Sequence, residues 1–242
     1  MPDLRFLLLQ IRDDNDPIRK QEIRCFANAL ECDQNTIIPF DLLAAAPTKE
    51  ELSNADAVLI GGSGKYSAAG ESPWLDRALA GMRTIYEQRK PTFASCWGFQ
   101  AFARALGGRC IHDPAHAELG TTPLKLTEAG RQDPLFGQLG DSFIGQSGHE
   151  DHVVELPPGA TLLASSDAVK NQAFKLDGTL IYGTQFHPEL DRESFVGRIR
   201  AYPQYVERIA GKTIEEFAEV CYDTPKTRQL LPRFSKLVAE LR

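Results

Sequence analysis

The sequence predicts an α/β fold with a mostly parallel central sheet flanked by helices, a small added β region and a C-terminal helical extension. Three observations carry this. In the first half of the chain, short aliphatic runs alternate with segments of helical periodicity. Those runs are continuously apolar, as strands covered on both faces are. After Cys110 the segments shorten and turn signals multiply, and from residue 203 onward two amphipathic stripes close the chain. With 242 residues, 42% of them hydrophobic and 25% charged, the chain suits one generous globular domain with an appendage. The expected boundaries are 1–202 for the domain and 203–242 for the extension.

The elements follow in order. "RFLLLQI" (5–11) reads as a buried strand, too short for a helix and followed by the turn-rich "RDDNDP". Ile23, Phe26, Ala27 and Leu30 then recur at helical spacing. "TIIPFDLL" (36–43) is a second strand, which Pro39 confines to an edge or a strand end. "DAVLIGG" (56–62) is a third strand, stopping at paired glycines. Trp74, Leu75, Ala78, Leu79, Met82, Ile85 and Tyr86 mark one face of a long helix. "PTFAS" (91–95) is a short strand, and "WGFQAFARAL" (97–106) returns to helical spacing.

In the second half, "AFKLDGTLIYGTQF" (173–186) reads as a hairpin around Asp177-Gly178. "DRESFVGRIRAY" (191–202) resumes helix. The tail holds two stripes. Thr213 and Glu216 form a capping box ahead of Ile214, Phe217, Ala218 and Cys221. Leu230, Leu231, Phe234, Leu237, Val238 and Leu241 form the other stripe, begun or kinked at Pro232.

Composition excludes several functions. The net charge is −6 without a basic cluster, so nucleic acid is not an expected partner. The apolar run Phe6 to Ile11 is too short for an export signal or a membrane span, and a cytoplasmic protein without membrane association is expected. Five cysteines without CxxC spacing argue against a disulfide framework and a zinc site. Cys110, His112 and His116 have loose metal-ligand spacing but lack a fourth ligand, so no metal is assigned. "GGSGK" (61–65) hints at a phosphate loop. It fails because Leu59 stands where the first glycine belongs and Tyr66 where a serine or threonine belongs. No cofactor motif was read.

Cys96 stands apart. It lies where the strand "PTFAS" ends and the next helix begins, the setting of a nucleophile elbow, with Ala94, Ser95 and Gly98 keeping the turn small. A helix N-terminus favours a thiolate, and its free N–H groups can hold a developing oxyanion. His187, in "YGTQFHPEL", is a candidate base. Pro188 stiffens the segment, so Glu189 can orient the ring. A papain-like reading fails on the 95 residues before Cys96 and on a Pro-Glu following the histidine. Asp151 and His152 are expected to brace a turn.

With "LIGG", "SCWGFQ" and "FHPE" in this order, the chain resembles the class I glutamine amidotransferases of the triad type over residues 4 to 200. It is most similar to stand-alone proteins like the amidotransferase part of GMP synthase, a likeness also carried by "TEAGRQDPLF" and "GHEDHVVELPPGA". The resemblance implies a flavodoxin-like fold. It also implies that Cys96 attacks a glutamine carboxamide to form a γ-glutamyl thioester, with His187 moving the proton and Glu189 holding His187. The backbone N–H groups of Gly62 and Trp97 would form the oxyanion hole. Gln100, Ser147, Gly148 and His149 would contact the substrate. Ala94 replaces the family's usual glycine, Phe99 a frequent histidine, and "QSGHED" carries one residue more than the family's pattern. No SGGxDS pyrophosphatase loop occurs, so a separate synthetase subunit would receive the ammonia. Two other readings stay open: a γ-glutamyl peptide or amide hydrolase on the same scaffold, and a non-catalytic regulatory module. The amphipathic tail is a candidate surface for a homo-oligomer.

Overall fold

The run Phe6–Gln10 forms strand β1 and is buried at every position, as its unbroken apolar sequence requires. The computed structural model describes residues 4–241 and sets β1 second in a nine-stranded sheet. Its parallel neighbours are β2 (Ile37–Asp41) and β3 (Ala57–Ile60). The parallel run continues through β4 (Thr92–Ser95) to β11 (Ile181–Thr184). Strand β2 is outermost, so Pro39 sits on the edge, where its missing N–H interrupts no ladder.

Beyond β11 the sheet turns antiparallel. There β10 (Ala173–Leu176), β9 (Ala160–Ser165), β6 (Glu118–Leu126) and β7 (Ser142–His149) follow in that order. Only β5 (Arg109–His112) and β8 (Asp151–Glu155) stand apart, as a two-stranded ribbon. The short strands of the second half therefore mostly widen the central sheet.

Alternate side chains of β1 point to opposite faces and into different cores. Phe6 and Leu8 meet α1 (Ile18–Leu30) and α9 (Leu230–Ala239). Leu7 and Leu9 join the core that holds α2 (Lys49–Ser53), α3 (Pro73–Glu87) and α4 (Trp97–Ala105). Helix α4 lies close on the sheet, because a methyl group at Gly98 would stand 2.7 Å from Ile60 Cβ. The short α5 (Glu128–Gln132) packs beside β9. A third apolar cluster gathers Cys25 with Phe195 and Ile199 of α6 (Arg192–Arg200) and with Phe217 of α7 (Ile214–Glu219).

The tail differs from its reading. The capping box of Thr213 and Glu216 is present, but two further pieces occur: a π-helical turn at Val206–Ala210 and helix α8 (Pro225–Arg228). Helix α9 begins at Leu230, so Pro232 neither starts nor kinks it. It lies in the first turn, where backbone N–H groups lack helical partners in any case. Leu230, Leu231, Phe234 and Val238 are buried against the sheet, whereas Leu241, assigned to the same stripe, is exposed. Among the described residues no helix is long and apolar enough to cross a membrane.

Candidate active site

Strand β4 ends at Ser95 and helix α4 starts at Trp97, which leaves Cys96 alone to make the turn, with φ 50° and ψ −102°. A side chain rarely adopts that conformation, and holding it costs on the order of 1–3 kcal/mol. Three hydrogen bonds keep it there. The Cys96 N–H donates to Thr184 O at 2.7 Å, the Gly98 N–H to Gly61 O at 3.3 Å, and the Gln100 N–H to Cys96 O at 3.1 Å. The second of these also fixes the plane of the Gly61–Gly62 peptide, and with it the direction of the Gly62 N–H. Trp97, as the first residue of α4, carries one of the helix's unpaired N–H groups.

His187 follows β11 closely and is anchored by its N–H, which donates to Gln146 O on β7 at 2.8 Å. Its Nδ1 lies 2.7 Å from Glu189 Oε1, and both side chains are buried. A methyl group on Gly62 would stand 2.8 Å from His187 Cε1, 3.4 Å from its Nε2 and 3.3 Å from Cys96 Cβ. The imidazole edge, the thiol-bearing carbon and the Gly62 backbone thus close on one point, which explains the absence of a side chain at 62.

Charge is managed without solvent. Burial by itself would push the His187 imidazolium down, but the charges of Glu189 and Cys96 outweigh it and the group is raised. Burial would likewise raise Glu189, yet His187, and beyond it Arg198, hold its carboxyl well below the usual range. Arg198 reaches the same Oε1 at 3.4 Å from α6. Sequence reading missed Arg198, which looks like one more charge on an amphipathic helix.

It also missed Gln185, whose Nε2 lies 3.7 Å from Cys96 Sγ, and the pair Arg12–Glu22. That pair is buried at 3.0 Å, with Arg12 Nη2 donating to Gly62 O at 2.9 Å. Burial would lower the Arg12 guanidinium, but the Glu22 carboxylate more than offsets it. The only available signal was an arginine and a glutamate ten residues apart across a turn, which is no signal.

The residues expected to touch substrate are spread around Cys96. Gln100 is buried and donates to Asp151 O at 2.7 Å and to Gln185 Oε1 at 3.2 Å. Gly148 O lies 3.9 Å from Cys96 Sγ. His149 pairs through Nε2 with Glu118 at 3.0 Å, while its Nδ1 and the Ser147 hydroxyl are buried without hydrogen-bond partners. Two cavities meet at Cys96. Gly62, Gly148 and His187 line the first; Trp97, Gln100, Gly148, His149 and Asp151 line the second. Ser147 is not among the residues lining either. Asp151 braces the region, with Oδ1 2.8 Å from His112 Nδ1 and Oδ2 accepting from Ser67 at 2.5 Å. His152 is buried edge-on to His116, which pairs with Asp113, and Cys110 belongs to the α3–α4 core.

The sequence model of the glutamine amidotransferase class-I family matches residues 20–197. The chain belongs to that family. A GMP synthase [glutamine-hydrolyzing] from Leifsonia xyli is 34% identical over 159 residues, which make up 64% of this chain and 28% of that protein. The chain thus spans about a quarter of the length of such GMP synthases. Gamma-glutamyl peptidase 3 from Arabidopsis thaliana is 28% identical over 190 residues, 76% of this chain and 72% of that one. The glutamine amidotransferase fold is shared along the whole chain. The crystal structure of a family protein from Thermotoga maritima superposes with a TM-score of 0.74 at 19% identity, covering 99% of this chain and 100% of that one.

Proposed function

We propose that this amidotransferase-family chain hydrolyses the side-chain amide of glutamine through a γ-glutamyl thioester on Cys96. The observation that carries the reading is the coincidence of a strained Cys96 turn with the His187–Glu189 pair on one point beside Gly62. His187 Nε2 takes the thiol proton as Sγ attacks the carboxamide carbon, and returns it to the departing ammonia. Glu189 keeps the ring in the tautomer and orientation that this needs. The N–H groups of Gly62 and Trp97 face the charge that develops on the carbonyl oxygen. Gln100, Gly148 and His149 lie on the side where the glutamyl portion would bind, and Ser147 is its neighbour in the strand.

The ammonia would pass to a separate synthetase, a reading supported by how little of the GMP synthase relative this chain spans. A second reading, hydrolysis of γ-glutamyl peptides, is favoured by the relative of that name, whose length the chain covers more fully. The test is ammonia release from L-glutamine, with Cys96→Ala as the blank, together with mass-spectrometric trapping of the acyl-enzyme. Release that persists in Cys96→Ala would overturn the reading.

A further inference from the structure

The two cavities that meet at Cys96 differ in kind. His187 lines only the first, whereas Trp97, Gln100 and His149 line only the second. With Nδ1 committed to Glu189, the atom that can hand over a proton is Nε2, on the side of Gly62 and Cys96. A leaving nitrogen must come within reach of that atom. Whatever the nitrogen carries therefore extends into the first cavity, while the glutamyl half occupies the second.

The first cavity is walled by Leu119, Leu190, Phe195, Ile199, Tyr202 and Tyr205. Leu190, Phe195 and Ile199 are buried. Both tyrosine hydroxyls are already engaged, that of Tyr202 with Asp16 and that of Tyr205 with Gly64 O, so the rings offer carbon. The cations at its edge, Arg12 and Arg198, are paired with Glu22 and Glu189. Ammonia is small and polar and gains nothing from six such walls, whereas a hydrocarbon group gains much. One polar atom is left over: Arg198 Nη2 is buried without a hydrogen-bond partner, a donor that suits the carboxylate of a leaving amino acid.

We propose that the preferred substrate is a γ-glutamyl amide whose nitrogen belongs to an apolar amino acid, as in γ-glutamyl-leucine. The proposal rests on the reading that Cys96 attacks a γ-glutamyl carboxamide. In the acylation step the Sγ–C bond forms and the C–N bond breaks. The thiol proton passes through His187 to the nitrogen, and free leucine leaves. Water then hydrolyses the thioester to glutamate and restores the thiol.

The experiment compares kcat/KM of the full chain for γ-glutamyl-leucine, γ-glutamyl-glycine, γ-glutamyl-aspartate and glutamine, with Cys96→Ala as the blank. γ-Glutamyl-leucine should exceed each of the others by about tenfold or more, the worth of a few methylenes in an apolar pocket. In Leu119→Phe, at a half-buried wall position, the ratio of γ-glutamyl-leucine to glutamine turnover should fall by about tenfold. Glutamine cleaved as well as γ-glutamyl-leucine would overturn the substrate assignment and leave the thioester reading standing. No Cys96-dependent cleavage of any of the four would overturn both.

Discussion

Glu189 Oε1 is shared by two cations, lying 2.7 Å from His187 Nδ1 and 3.4 Å from Arg198 Nη1. The carboxylate is fully enclosed, so its charge is balanced by these two side chains and not by water. Replacing it with the isosteric amide removes the charge and leaves the shape. Glu189→Gln should fold and yet slow acylation by about 10³–10⁴-fold, because the imidazolium loses its counter-charge and the ring its preferred tautomer. Single-turnover kinetics on glutamine or a γ-glutamyl peptide reads this directly, and turnover like the native protein's would remove His187–Glu189 from the mechanism.

The same carboxylate has a signature in stability. Its folded-state pKa is depressed below the ordinary 4.5, so its contribution is fully present above that value and lost as pH falls through the folded one. His187 runs the opposite way. Its folded pKa is raised above the ordinary 6.5, so its contribution is complete below that pH and lost as pH rises past the folded value. Urea titrations should therefore show the stability difference between the native chain and Glu189→Gln shrinking from pH 5 toward about pH 3. A difference that grows on acidification would mean that Glu189 is not held ionised.

A glutamine-like electrophile should label Cys96 first. Burial raises the thiols of Cys25, Cys32, Cys110 and Cys221 above their ordinary value. Cys96 alone lines both cavities at the proposed site. Peptide mapping after brief exposure to a diazo-ketone analogue of glutamine is the measurement, and label found mainly on the other four thiols would contradict it.

Gly62→Ala separates activity from folding. The added methyl meets His187 Cε1 at 2.8 Å and Cys96 Cβ at 3.3 Å, so the site must give way while the surrounding strands need not. Activity should drop by about 10²–10³-fold, the loss expected when an oxyanion donor is displaced. The thermal midpoint should move only slightly. Unchanged activity would place the oxyanion donor elsewhere.

The tail is a structural part of the domain. Phe234 meets Phe93 of the central sheet edge-on, with ring centroids 5.6 Å apart, and neither ring is exposed. Phe234→Ala should cost about 3–5 kcal/mol in chemical denaturation, as for other large-to-small changes in a core. Deleting residues 203–242 should leave no cooperative transition at all. A truncated chain that melts like the full one would show the extension to be dispensable.

Legibility in the sequence followed locality. Strands β1, β3 and β4 were readable because a strand buried on both faces needs an unbroken apolar run, and Pro39 marked an edge because it lacks a donor. The Cys96 elbow and the His187–Glu189 pair were readable because each is a motif a few residues long. Arg198, Gln185 and Arg12 were not, since each becomes part of the site only when folding brings distant segments together. The sheet membership of β6, β7 and β9 was hidden for the same reason: pairing between strands far apart leaves no local pattern. Helix α9 was visible as a stripe, but its start was misjudged because Pro232 is tolerated in a first turn as readily as before one.

The burial of Leu230, Leu231, Phe234 and Val238 beside Leu4, Phe6 and Phe26 joins the two extremes of the chain in one apolar cluster. During vectorial synthesis at roughly 5–20 residues per second, the amino-terminal strand and its helix would wait for the last helix for about 10 seconds or more. Until then one face of the sheet stays uncovered and open to wrong partners. Contacts so far apart in sequence also slow the search for the native state. The nascent chain is thus a client for holding chaperones, and maturation of the thiol site is timed by release of its final residues from the ribosome.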